Sequence, residues 1–159
     1  MNDPWNLARF VAAQDTDGTF RRAVGELRSG AKRTHWIWFV FTQLAAIGRS
    51  QTARHYGLSG RAEAEAHAAH PVLRPRLDAA VEAALDSGTA DPHALLGSPD
   101  DLKFRSCLTL FAAVDPASPL FPRALETFYG GARCDRTEAL LAAEARGALP
   151  PDAGPLGSR

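Results

Sequence analysis

Two short stretches of this sequence concentrate side chains that can recognise or process a small polar molecule. The first stretch, residues 35–43, contains His35, Trp36, Trp38 and Gln43. Tryptophan rings stack on flat aromatic groups, and a carboxamide forms hydrogen bonds with the edge of a base. Helical spacing places these side chains on adjacent sides of one helix, so the stretch is a candidate binding site for a nucleobase.

The second stretch, residues 100–109, follows a predicted helix start and combines cations with hydroxyl groups. Its candidate phosphate ligands are Lys103, Arg105, Ser106 and Thr109. Cationic and hydroxyl donors near a helix N-terminus suit a phosphate group. Asp100 and Asp101 occupy the first turn, where they reduce the attraction for an anion but are candidates for a catalytic general base or for ribose ligands.

Each stretch also has an ordinary structural explanation. Tryptophan and phenylalanine stripes more often form a core than a ligand platform, and a buried glutamine or histidine usually satisfies a backbone group. In the second stretch, Asp100 and Asp101 would cap the helix and pair with Lys103 or Arg105 on a solvated face. The residues alone favour these structural explanations over a binding site.

Several common chemistries have no support in the sequence. Cys107 and Cys134 form no CxxC motif, and the five histidines lack the spacing of zinc ligands. Cys107 has apolar neighbours in a predicted helix, which is typical of a buried thiol. There is no P-loop and no GxGxxG motif. We therefore expect neither a metal site nor a bound cofactor.

The charge balance argues against an extended nucleic-acid surface. The 159 residues include 18 Lys and Arg and 18 Asp and Glu, for a formal net charge of +0. The start, MNDPWNLARF, lacks the basic and apolar regions of a signal peptide, and the apolar segment HWIWFVFTQLAAIG is too short to span a membrane. We expect a cytoplasmic protein that contacts neither nucleic acid nor membrane; its oligomeric state is left open.

Helix signals dominate the chain because alanine is abundant and alternating β patterns are nearly absent. The pattern predicts an all-α fold, a compact single-domain multi-helix bundle over residues 1–146. A helix over residues 35–47 is apolar on nearly every side, so we expect it to be the buried centre of the bundle. Residues 147–159 are rich in proline and glycine and predict a flexible tail.

Capping residues predict where other helices begin and end. Thr19 to Ser29 is a predicted helix that stops at Gly30, and Ser98-Pro99 marks the start of a helix that ends near Asp115-Pro116. The alanine-rich segment RAEAEAHAAH, residues 61–70, is weakly amphipathic and predicts a surface helix capped by Ser59.

Four long motifs occur in a fixed order along residues 3–146. They are DPWNLARFVAAQ, RSGAKRTHWIWFVFTQLAAIGRSQTARHYGLS, AHPVLRPRL and SPDDLKFRSCLTLFAA. In this order they resemble the bacterial family catalogued as domain of unknown function eighteen-ten, whose members are often mislabelled calpastatin. The resemblance implies a compact all-helical fold and no established activity.

Two positions depart from the family pattern. Thr42 stands where the family usually has proline, and Arg74 where it usually has glycine. Thr42 would permit a continuous helix through residues 41–43 or alter a local bend that shapes a pocket.

The family is more distantly similar to small helical domains linked to NAD and ADP-ribose derivatives, which resemble N-glycosidases. From this similarity and the two stretches we predict an enzyme that binds a phosphorylated nucleoside or an ADP-ribose-like molecule and hydrolyses an N-glycosidic bond. Trp36 or Trp38 would stack the base, Lys103 and Arg105 would hold phosphate, and Asp100 or Asp101 would activate water. The alternative is a non-catalytic helical module that binds a ligand or a protein.

Overall fold

The protein is an arrangement of α-helices joined by short connections, and a computed structural model describes residues 2–147. The helices in chain order are α1 (Ala8–Asp15), α2 (Thr19–Ser29), α3 (Ile37–Val40), α4 (Gln51–His55), α5 (Arg61–Ala68), α6 (Leu73–Leu85), α7 (Pro92–Leu96), α8 (Asp100–Val114), α9 (Leu120–Tyr129) and α10 (Asp135–Ala145). Single 3-10 turns lie at Thr16–Gly18 and Ala45–Ile47. The all-α fold is confirmed. The predicted tail lies outside the described residues, apart from its first residue, Gly147.

Helix α8 is the centre of the fold. It packs against α9, α5, α7 and α10, and it also contacts α3. Its side chains are buried on most of the circumference, as shown by Phe104, Cys107, Leu108 and Phe111, which are all fully buried. A helix that is apolar nearly all round is stable only when neighbouring elements cover each side.

The predicted central helix over residues 35–47 is wrong in its extent. Only Ile37–Val40 is α-helical, and the chain then bends into an extended segment before the 3-10 turn at Ala45–Ile47. The backbone N–H of Leu58 donates to Gln43 O at 2.9 Å, and the N–H of Ala45 donates to Leu58 O at 2.8 Å. These bonds form an isolated parallel bridge between Leu44 and Leu58 and replace the hydrogen bonds of a continuing helix. The segment is buried as predicted, but as an extended strand-like piece.

Thr42 and Arg74, the two positions at which the family resemblance implies another residue, both form side-chain contacts. The hydroxyl of Thr42 donates to Tyr56 O at 2.6 Å, which ties the bend after α3 to the end of α4. The guanidinium of Arg74 bridges Asp78 at 2.9 Å and Asp115 at 2.7 Å, which joins α6 to the end of α8. Proline has no hydroxyl and glycine has no side chain, so neither contact would survive proline at position 42 or glycine at position 74.

Helix α5 lies at the surface with one side exposed, as predicted, but its other side is buried. Glu63, Ala64 and His67 form the buried side. The carboxylate of Glu63 accepts hydrogen bonds from Arg9 Nη2 at 3.0 Å and from the backbone N–H of Ser59 at 2.8 Å. A buried carboxylate is tolerated because these charge-assisted bonds replace its water. The partner Arg9 comes from α1, so the composition of α5 alone does not reveal the pairing.

The helix limits predicted from capping signals agree closely with the structure. Helix α2 spans Thr19–Ser29 and ends at Gly30, whose φ of 86° lies in the left-handed region that favours glycine. Helix α8 begins at Asp100 and ends at Val114, as the Ser98-Pro99 and Asp115-Pro116 signals predict. Local signals of this kind act through neighbouring backbone groups, so sequence alone places them well.

Gly57 is required where the bridge brings two backbone segments together. A Cβ at this position would lie 2.4 Å from Ala45 Cα and 2.9 Å from Ala45 N. Backbone atoms cannot move away as a flexible side chain would. We therefore expect Gly57→Ala to lower the free energy of unfolding by about 1–3 kcal/mol, measured by urea denaturation.

Gly25 provides a matched control for that variant. It lies on the exposed side of α2, and a Cβ there would meet nothing within 4 Å. Gly25→Ala should raise the free energy of unfolding by about 0.5–1 kcal/mol, because alanine has the higher helix propensity. Equal effects of the two substitutions would show that the close approach at Gly57 is absent.

Candidate functional site

A cavity of about 340 Å³ lies where the two chemically rich stretches of the sequence meet. One wall comes from the segment between α3 and the middle of α4, another from the first turns of α8, and a third from α10. Its polar lining residues are Gln43, Arg49, Ser50, Lys103, Ser106 and Arg136. Its apolar lining includes Ile47, Pro99 and Leu102. This combination of an apolar wall with a few convergent polar groups is typical of small-molecule sites.

The charge of the lining is positive. Arg49, Lys103 and Arg136 contribute three cations, and the lining contains neither aspartate nor glutamate among residues 2–147. The guanidinium of Arg136 donates to Ala46 O at 3.2 Å, which holds α10 against the 3-10 turn on the opposite wall. Three convergent cations repel one another when the cavity is empty, so an anion that enters relieves this repulsion.

Gln43 places an uncommitted carboxamide on the cavity wall. Its residue is 7% exposed, and its Oε1 is buried with no hydrogen-bond partner in the structure. The backbone carbonyl of Gln43 accepts from Leu58 N–H, which fixes the position of the residue on the bridge. Buried side-chain amides normally form hydrogen bonds, so this unpaired group marks a place that a ligand can complete.

Lys103 belongs to a half-buried ionic cluster behind the cavity. Asp100 lies 2.9 Å from Lys32 Nζ through Oδ2 and 3.8 Å from Lys103 Nζ through Oδ1. The two ammonium groups also lie over aromatic rings, Lys32 over Trp36 at 5.2 Å and Lys103 over Trp38 at 5.5 Å. One carboxylate between two lysines leaves the cluster with a surplus positive charge, which faces the cavity through Lys103.

The hydroxyl groups of Ser106 and Thr109 are used inside the fold. Ser106 Oγ donates towards Leu102 O at 3.2 Å and Cys134 Sγ at 3.3 Å, so it offers lone pairs rather than a proton to the cavity. Thr109 is fully buried, and its Oγ1 donates to Arg105 O at 2.7 Å and accepts from Cys134 N–H at 2.9 Å. Thr109 therefore positions α10 against α8 and does not reach the cavity.

The tryptophans do not form the predicted stacking platform in this cavity. Trp36 is fully buried, and its indole N–H donates to Glu26 Oε1 at 2.8 Å, so both its ring and its polar group are committed to the core. Trp38 is partly buried, lies outside the cavity lining and has an unpartnered Nε1. His35 is exposed and is also not in the lining.

The predicted acidic residues also lie off the cavity wall. Asp101 has its carboxylate 3.7 Å from His93 Nδ1, and its backbone carbonyl accepts from the hydroxyl of Tyr129. The guanidinium of Arg105 lies 5.8 Å from the centre of the Tyr129 ring, with its Nε buried and unpartnered. Of the ten predicted site residues, the cavity brings together Gln43, Lys103 and Ser106, with Asp100 directly behind Lys103.

Sequence reasoning missed the two arginines of the lining and Ser50. Arg49 lies in the second long motif and Arg136 outside all four, and the two are far apart in sequence, so no local pattern joins them. Ser50 has a detectable signal, since its Oγ accepts from Ala53 N–H at 3.0 Å as the N-cap of α4.

Residues 2–147 contain no group of three or more His, Cys, Asp or Glu side chains placed to hold a metal ion. None of their helices has the length and apolar character needed to cross a membrane.

Comparisons with known proteins relate the chain to a family and to one solved structure. The family model described as "Protein of unknown function (DUF1810)" matches residues 4–141. The structure of the conserved hypothetical protein Rv1873 from Mycobacterium tuberculosis is similar, with a TM-score of 0.84 and 44% sequence identity over 88% of this chain and 99% of that chain. No curated protein matches significantly. The predicted family resemblance is confirmed, whereas neither match bears on the similarity to N-glycosidases.

Proposed function

This chain belongs to the family of proteins of unknown function DUF1810, and we propose that it binds a phosphorylated nucleoside or a related ADP-ribose-like molecule in the cavity between α4, α8 and α10. The observation that carries the proposal is one cavity with three cations and no carboxylate in its lining, together with a buried carboxamide that lacks a hydrogen-bond partner. A lining with three cations and no acid suits a phosphate group, and the carboxamide suits a polar ring edge.

The phosphate end of the ligand lies between Lys103 and the arginines. Arginine presents several donors in a planar fork that matches phosphate oxygens, while lysine contributes a compact charge. Lys103 is supported from behind by Asp100, which holds the ammonium group near the wall at 3.8 Å. A phosphate at this point balances the surplus positive charge of the Lys32, Asp100 and Lys103 cluster.

Hydrolysis of an N-glycosidic bond is the catalytic part of the proposal, and it depends on Asp100. A bound phosphate competes with this carboxylate for Lys103, which frees Asp100 Oδ1 to accept a proton from a water molecule. The water oxygen bonds to C1′ of the ribose as the C1′–N bond breaks, and the base leaves with the electron pair of that bond and takes up a proton from solvent. Lys32, 2.9 Å from Oδ2, keeps the carboxylate in place while this occurs. The alternative, a site that binds its ligand without chemistry, uses the same cavity.

A protein-interaction module has less support than a small-molecule site. Among residues 2–147 the large hydrophobic side chains that are exposed are Val72, at 37%, and Leu102, at 52%. They belong to different helices and do not form the broad apolar patch that marks many protein interfaces. Leu102 lies at the cavity, where a ligand rather than a protein surface would cover it.

Calorimetric titration with inorganic phosphate, adenosine monophosphate, ADP-ribose and NAD tests the proposal. Lys103→Met and Arg136→Met should each weaken binding by about 10- to 100-fold, because each removes a charge-assisted hydrogen bond worth roughly 1.5–3 kcal/mol. Arg28→Met, on the exposed side of α2 and outside the lining, is the matched control and should leave the affinity unchanged. Absence of binding by all four compounds would refute the proposed function.

Chromatography of the same mixtures tests the catalytic part separately. Release of the free base should stop in Asp100→Asn while phosphate binding persists. Binding without release of base in the wild-type protein would support the non-catalytic alternative.

A further inference from the structure

We infer that the cavity selects a ligand of one nucleotide unit whose ring edge places an N–H donor beside a hydrogen-bond acceptor, as adenine does, and that Gln43 is the residue that reads this edge. The inference rests on the proposed function and specifies which phosphorylated nucleosides the site accepts. It assigns the selection to one side chain rather than to the cations, which recognise phosphate on any of them.

The Gln43 side chain is isolated from the hydrogen bonds of the fold. None of the hydrogen bonds of the described residues involves its carboxamide, although the residue is only 7% exposed and its Oε1 is buried. The bridge to Leu58 fixes the backbone of Gln43 beside the cavity. A buried polar group left unpaired is unfavourable, and a ligand that pairs it recovers this energy.

The carboxamide group of Gln43 determines which ring edge can pair with it. A glutamine side chain offers one oxygen acceptor and two N–H donors at neighbouring positions, so its complement is a neighbouring donor and acceptor on one planar edge. Glutamine and asparagine pair in this two-bond manner with the amino group and ring nitrogen of adenine. A ring with acceptors alone leaves Gln43 Oε1 unpaired and forfeits that bond.

The space beside Gln43 has a shape that suits one flat ring. The apolar residues Ile47, Pro99 and Leu102 line the same cavity and give a flat ring a surface to pack on. Leu102 is 52% exposed, so a ring that covers it also removes apolar surface from water. The volume of about 340 Å³ is near the lower end for small-molecule cavities, which suits one nucleotide unit rather than two.

The test compares adenosine monophosphate with purine riboside 5′-monophosphate, which has the same phosphate, sugar and ring system but lacks the amino group. In the wild-type protein the amino compound should bind about 10- to 100-fold more tightly. In Gln43→Met the two compounds should bind with the same affinity, and no more tightly than purine riboside 5′-monophosphate binds to the wild type. Inorganic phosphate should compete equally well in both proteins.

Gln43→Glu is the second variant, because it keeps the size of the side chain and an acceptor for the amino group but loses the N–H donor to the ring nitrogen. It should bind both compounds more weakly than the wild type and still prefer adenosine monophosphate, and unchanged thermal melts of both variants would show that the fold is intact. Equal affinity of the two compounds in the wild type would overturn this inference and leave the proposed function standing. Absence of binding by inorganic phosphate and by both nucleotides would instead overturn the proposed function.

Discussion

Replacing Glu26 with glutamine should lower the free energy of unfolding by about 3–5 kcal/mol, the largest effect we expect from one substitution. The Glu26 side chain is buried, and its carboxylate accepts four hydrogen bonds: from Arg33 N–H at 2.8 Å, Thr34 N–H at 3.1 Å, Thr34 Oγ1 at 2.7 Å and Trp36 Nε1 at 2.8 Å. All four partners are donors. A glutamine oxygen can accept the three N–H bonds, but without the negative charge that strengthens them, and the amide nitrogen would meet Thr34 Oγ1 and force its hydroxyl proton to turn away.

The same carboxylate predicts a stability change at low pH. Burial by itself raises the pKa of Glu26, but the hydrogen bonds from Arg33, Trp36 and Thr34 outweigh it and lower the pKa from 4.5 to about 2. Because the folded pKa is the lower one, the stabilisation is full above about pH 5 and is lost as the pH falls towards 2. The loss should reach about 3 kcal/mol, and it should be absent in Glu26→Gln.

Urea denaturation of the wild type and the variant measures both effects. Glu82→Gln, at an exposed position on α6, is the matched control and should change the free energy of unfolding by less than about 0.5 kcal/mol. A variant as stable as the wild type at neutral pH would contradict the hydrogen-bond arrangement around Glu26.

Acidification from about pH 7.5 to about pH 4.5 should lower the stability of the wild type by about 3 kcal/mol more than that of His67→Leu. His67 is 1% exposed, lies between the rings of Phe10 and Phe111, and has no hydrogen-bond partner for either ring nitrogen. Burial, reinforced by the nearby charges of His70, Arg9 and Arg74, lowers the pKa of His67 from 6.5 to about 3.

The direction of the stability change on acidification follows from the pKa values of His67 in the folded and the unfolded protein. The unfolded chain takes up a proton at His67 below about pH 6.5, whereas the folded protein does so only near pH 3, so stability falls throughout that interval. Leucine cannot titrate and fits an apolar site of similar volume, so its variant should keep its stability down to about pH 5. His35→Asn, at an exposed position, is the control and should retain the wild-type slope. Equal slopes for wild type and His67→Leu would contradict the burial of a neutral imidazole.

The sequence predicts the limits of helices that depend on neighbouring residues. It does not predict local structure or burial that depends on residues far away in the chain. The run of aromatic and β-branched residues after His35 indicates burial, but a short apolar run does not distinguish a buried helix from a buried extended segment. The outcome depends on Leu58, which binds the backbone of Gln43 and Ala45. In the same way, Arg9 from α1 makes a buried Glu63 possible in α5, which composition alone assigns to the surface.

The sequence indicates some residue types of the candidate site, but it does not predict how those residues are arranged in space. Gln43 and Lys103 stand out because their side chains suit a base and a phosphate, and both line the cavity. Trp36 stands out for the same reason, yet Glu26 binds its indole N–H and commits the ring to the core. Arg49 and Arg136 reach the cavity only because the chain folds back between α4 and α10, an arrangement that no local spacing records.

A crystal structure of the protein soaked with adenosine monophosphate tests the central claim most directly. We expect the phosphate group to contact Lys103 and Arg136. We expect the amino edge of adenine to lie within hydrogen-bond distance of the Gln43 carboxamide. A cavity that stays empty at saturating ligand, or a nucleotide bound elsewhere on the protein, would contradict it.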